Sequence, residues 1–81
     1  MRDRLAVLEP TRLEIQDDSA MHAGHAGASQ GGGHYRLLIV SPRFHGTASL
    51  GRHRLVYQAL ADMLPREIHA LAINAYAPEE L

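Results

Sequence analysis

The chain has 81 residues, 46% of them hydrophobic, and its eight arginines stand against nine acids for a net charge of −1. One domain of this length buries only ~60–65% of the surface its unfolded form exposes, so a deep, walled catalytic cleft is not expected. The composition excludes a disordered chain, and the balanced charge excludes a field that would draw the whole domain onto nucleic acid. No apolar run approaches the ~18 residues needed to cross a bilayer, and Met1 to Leu5 lacks the apolar core of a signal peptide, so a cytoplasmic location is expected.

Cysteine is absent, which rules out disulfides, thiolate nucleophiles and all-cysteine metal sites. Any metal held by this chain must use imidazole or carboxylate. Six histidines form the one unusual count.

Asp3 to Leu8 places Leu5 and Leu8 three residues apart, enough for about two turns of helix before Glu9-Pro10 interrupts it. Arg12-Leu13-Glu14-Ile15-Gln16 then alternates strictly, as a half-buried first strand would. From Asp17 to Gly33 the periodicity vanishes. Gly24, Gly27 and Gly31 to Gly33 disfavour a regular element, which leaves a His/Gly-rich loop over 18–33 that carries His22 and His25.

Tyr35 to Val40 is a dense apolar run closed by Ser41-Pro42, and it reads as a central strand covered on much of both faces. Phe44 to Gly51 reads as a turn or short helical turn. Arg52 to Leu64 sets Val56, Ala59, Leu60 and Met63 at helical spacing before Pro65 stops the helix. Ile68 to Tyr76 alternates again, with His69, Leu71, Ile73 and Ala75 assigned to one face. Pro78 to Leu81 begins a final helix that the chain scarcely continues.

Two strands joined by a loop without a crossover are antiparallel by default, and two joined through a helix are parallel with a right-handed crossover. The expected fold class is therefore α+β: a mixed three-stranded sheet with helices on one face, in one domain over 1–81. If the third strand parallels the second, His69 lies at the end of the sheet where the long loop attaches. His22, His25 and His34 belong to that loop or its exit.

Several segments carry a family resemblance. Leu13-Glu14-Ile15-Gln16-Asp17-Asp18-Ser19 resembles L-E-V-x-D-E-S, and His34-Tyr35-Arg36 resembles H-F-K. Phe44-His45-Gly46 resembles F-x-G, Arg52-His53-Arg54-Leu55-Val56-Tyr57 resembles R-H-R-x-V-Y, and Ile68 to Ile73 resembles V-H-A-L-x-L. In this order they cover residues 13 to 79 and are similar to the BolA family. The resemblance implies a class II KH-like αββααβ fold and a partnership with a monothiol glutaredoxin. It further implies a [2Fe–2S] cluster shared with that partner and its glutathione, in iron–sulfur or iron homeostasis. Carried over by position, the resemblance implies His69 as the strand-three ligand and His22 as the loop ligand, with His25 a nearby substitute. Helix one is shorter than in typical relatives and the final helix is almost absent.

Imidazole suits iron in mixed histidine/thiolate clusters, whereas the bland alternative for His69 is a half-buried ring bonded to backbone. His22 and His25 are either a mobile arm that closes on metal or part of a solvated loop, and a histidine loop also accepts zinc or copper. Arg52, His53 and Arg54 are candidate partner contacts. The alternative function is a DNA-binding transcriptional regulator, with Arg52 and Arg54 contacting phosphate from a helix-turn-helix-like segment over 46–64. Gly46 and Gly51 lie too far apart for a KH Gly-x-x-Gly loop. Gly46 to Gly51 also lacks the Lys-Ser/Thr that completes a phosphate-binding loop. No serine has a patterned His/Asp partner and the carboxylates are scattered, so no enzymatic activity and no small-molecule substrate are expected.

Overall fold

Between Arg2 and Glu80 the chain alternates short helices with three strands, and the computed structural model describes residues 1–18, 33–64 and 66–81. Helix α1 (Arg2–Leu5) tightens into a 3-10 turn at Ala6–Leu8, then β1 (Arg12–Asp17) and β2 (Gly33–Val40) follow. A 3-10 turn at Pro42–Phe44 leads to α2 (Ser49–Ala59), a further turn at Ala61–Met63, β3 (Ile68–Tyr76) and a last turn at Pro78–Glu80.

The sheet order is β1-β2-β3, with β1 antiparallel to β2 and β2 parallel to β3. Both strand directions agree with the sequence-based expectation. Leu13 and Ile15 pair with Ile39 and Leu37, while Leu37 and Ile39 pair with Ile73 and Ala75, so the apolar positions of all three strands share one face. On that face Leu37, Ile39 and Ile68 are buried in one cluster with Leu5 and Leu8 of the first helical segment, Phe44, and Val56 and Leu60. Each such side chain contributes ~1.5–3 kcal/mol on removal from water. Val56 and Leu60, a helical turn apart, are the inward edge of the α2 segment.

The opposite face carries Arg12, Glu14, Gln16, Arg36, Ala70, Ala72 and Asn74, all exposed. The central strand is therefore covered on one face and not on much of both: Arg36 is exposed between buried or half-buried neighbours. The dense apolar run is explained by Leu38, half-buried between Glu14 and Asn74, and by Val40, buried at the strand's end.

The main helix also differs from the expected Arg52–Leu64. It begins at Ser49, where the Arg52 amide closes the first turn on the Ala48 carbonyl at 3.0 Å. It ends at Ala59 because Leu60 leaves helical geometry (φ −103°, ψ 11°). Leu64, the residue before Pro65, is extended at φ −100°, ψ 141°, as the proline ring demands of its predecessor.

Candidate metal centre

Parallel pairing of β2 with β3 sets Gly33 opposite Ile68 and His34 opposite Ala70, with a register shift between those two pairs. One residue, His69, is thus left over on β3. Strict alternation would have put His69 on the helix-covered face with Leu71, Ile73 and Ala75. Instead Ile68 is fully buried in the core and His69 is exposed. The sequence-based face assignment of His69 is corrected accordingly: a β-bulge inserts an unpaired residue and re-aims its side chain.

The bulge brings His69 against His34, with ring centroids 5.4 Å apart and planes inclined at 48°. Both ends of the segment 19–32 attach here. The Asp18 amide donates to the His34 carbonyl at 2.7 Å, and the Gly33 amide donates to the Glu67 carbonyl at 2.9 Å. Asp18 also receives Arg36 Nε at 2.9 Å. Beside the histidines lies an open depression of about 380 Å³ lined by Asp18, His34, Tyr35, Arg36 and the strand β3 residues Ala70 to Ala72. The small Ala70 and Ala72 leave its floor low.

Of the sequence-predicted ligands, His69 stands at the end of the sheet where the long segment joins. His22 and His25 lie outside the described residues. His34 was placed at the loop's exit by sequence but was not among the candidate ligands. Its signal was the parallel register, which a single strand does not display.

Arg52, a candidate partner and phosphate contact, has a side chain only 11% exposed, and its donors are engaged within the chain. Nε donates to the Thr47 carbonyl at 2.6 Å, Nη1 to the Ala75 carbonyl at 3.0 Å, and Nη2 to Glu80 Oε2 at 2.7 Å. The guanidinium also lies 5.9 Å from the Phe44 ring centroid. The hydrogen bond from Arg52 and a second from the Ala77 amide hold the Glu80 carboxyl down at about 2. Nearby, His45 bonds Glu79, which raises the imidazole's pKa and lowers the carboxylate's. Of the other two candidates, His53 is half-buried, while Arg54 is exposed and has no ion-pair partner among the described residues.

No group of three or more His, Asp or Glu side chains that could hold a metal occurs among the described residues. None of their helices is long and apolar enough to cross a membrane. The described part of the site is thus a pair of imidazoles beside an open depression.

Comparisons with known proteins agree with this architecture. The family model for BolA-like protein matches residues 5–80. The chain is 43% identical over 79 residues to SufE-like protein 1, chloroplastic/mitochondrial, of Arabidopsis thaliana, covering 91% of this chain and 21% of that protein. It is 39% identical over 75 residues to the DNA-binding transcriptional regulator BolA of Escherichia coli, covering 93% of this chain and 69% of the relative. The chain therefore spans about a fifth of the first relative's length. Among solved structures, the BolA domain of SufE1 from Arabidopsis thaliana superimposes with a TM-score of 0.84 at 43% identity, over 99% of this chain and 90% of that one. With the fold, the motif order and the family model in agreement, the chain belongs to the BolA-like protein family.

Proposed function

We propose that this chain is a non-enzymatic adaptor that binds a monothiol glutaredoxin and helps hold, and pass on, a [2Fe–2S] cluster shared with that partner and its glutathione. The observation that carries the reading is the position of His69, an exposed imidazole on a parallel bulge where both ends of the His22/His25 segment join the sheet.

The donor chemistry fits such a cluster. The chain has no cysteine, and its described residues gather no complete ligand set, so it supplies imidazole and leaves sulfur donors to the partner. His69 would hold the cluster from this side, with His22 or His25 as the loop donor. Histidine in place of thiolate raises a cluster's reduction potential and leaves it with less negative charge. The chain's own residues fix the entry of that donor: Ile68 anchors the strand in the core, and the Gly33 amide ties the loop's exit to Glu67.

The test mixes the purified chain with a monothiol glutaredoxin, glutathione, iron and sulfide. A heterodimer with a visible absorption and dichroism spectrum is expected, and His69→Ala changes that spectrum. A spectrum indifferent to His69→Ala removes the residue from the ligand set.

A second reading, DNA binding through 46–64, is favoured by the name of the Escherichia coli relative. It has to work without Arg52, whose guanidinium is engaged inside the fold. Retention on DNA at low salt that weakens in Arg54→Ala supports it; no retention ends it.

A further inference from the structure

The geometry points to His34 as a second imidazole donor that shares one transition-metal ion with His69. This deepens the cluster reading by putting His34, in place of His22 or His25, beside His69 on the shared metal; it rests on that reading for the identity of the metal's carrier, while the chelating pair itself rests on the sheet.

A ring nitrogen lies about 2.0–2.1 Å from the metal it binds, which puts the ion ~3.2 Å from the ring centroid. Two rings bound to one ion at a near-tetrahedral angle then have centroids ~5.2 Å apart. The observed separation is 5.4 Å. The 48° inclination of the rings is compatible with chelation, which constrains each ring plane to contain the metal and leaves the angle between planes free, and it is equally an ordinary tilt for two packed rings.

The backbone supports the same conclusion. A parallel ladder without the shift between Gly33 and His34 would have turned His69 toward the helices. The bulge gives up regular pairing at that step and sets the two imidazoles side by side on adjacent strands, where rigid elements hold a ligand pair more closely than a loop does. His34 is further fixed by the Asp18 amide on its carbonyl, 2.7 Å away. Ala70, its partner in register, has only a methyl group, so an ion and its remaining donors meet no bulk there. The ligand class is a divalent first-row ion of borderline softness, such as zinc, copper or iron, for which imidazole is a preferred donor.

The experiment uses the full chain carrying His22→Ala and His25→Ala and titrates it with Cu²⁺ alone, with pulsed EPR counting the equatorial imidazoles. Two imidazoles are expected. His34→Phe and His69→Phe, each in that background, should each reduce the count to one and weaken binding by roughly 100-fold, since two donors on one scaffold act at high effective concentration. Phenylalanine keeps a packed ring, so a His34 that only positions its neighbour would tolerate the change, and thermal melting verifies that each variant is folded. Two imidazoles retained in folded His34→Phe, or a single imidazole in the parent, overturns the proposal. Copper is added to the chain by itself, so failure here leaves the glutaredoxin experiment to judge the cluster reading separately.

Discussion

Ser41 shows how one hydroxyl ties distant parts of this chain together. It is fully buried, donates its Oγ proton to the Leu8 carbonyl, accepts from the Arg43 amide at 3.1 Å, and its own amide reaches the Tyr76 carbonyl at 2.9 Å. Ser41→Ala leaves a buried carbonyl without its donor and should lower unfolding free energy by ~1–3 kcal/mol in a urea titration. An unchanged midpoint would show that water replaces the hydroxyl. Gly46 is a second such residue, at φ +71° in the turn before α2. Its added Cβ would meet nothing within 4 Å, so Gly46→Ala carries only the backbone penalty of a left-handed conformation, roughly 1 kcal/mol.

The acidic residues at the chain's end have the opposite kind of signature, one that depends on pH. Glu80 titrates at about 2 in the folded chain because Arg52 and the Ala77 amide bond its ionised form. A depressed folded pKa means that its contribution is complete above the ordinary carboxylate value of 4.5 and is lost as pH falls toward 2. Thermal melting followed from about pH 5 to pH 2 should therefore fall more steeply in the parent than in Glu80→Gln. Parallel curves would place the pair in solvent. His45 acts in the other direction: its raised pKa makes its contribution complete below the ordinary histidine value and lost as pH rises through the folded one.

At the scale of elements, β1 and β3 were legible from alternation in the sequence, β2 from its dense apolar run, and α2 from the spacing of Val56, Ala59, Leu60 and Met63. What alternation did not show was the bulge at His69, since a register shift belongs to a pair of strands and leaves no mark on either alone. The same limit hid Arg52. Its charge beside His53 and Arg54 reads as a surface patch, while its partner Glu80 lies in the last turn of the chain. Packing of these elements can be tested at Leu60, buried where α2 meets the sheet; Leu60→Ala should cost ~2–5 kcal/mol by denaturant unfolding, and a smaller loss would mean that the helix end collapses onto the cavity.

For the molecule as a whole, the candidate site follows from strand direction. Antiparallel β1 and β2 put both ends of segment 19–32 at one edge, and parallel β3 delivers His69 to the same edge. Family motifs made His69, His22 and His25 legible as candidates, but the neighbour His34 emerged only once the strands were placed side by side. An exposed His69 and an open depression beside His34 are what the proposed sharing of a centre with a partner requires of this chain.

The most direct measurement labels this chain alone with ¹⁵N-histidine, assembles it with unlabelled monothiol glutaredoxin, glutathione, iron and sulfide, and records pulsed EPR of the reduced cluster. The account predicts a strongly coupled ¹⁵N signal that is diminished in His69→Ala. A cluster spectrum with no ¹⁵N coupling would mean that this chain contributes no ligand, and would contradict it.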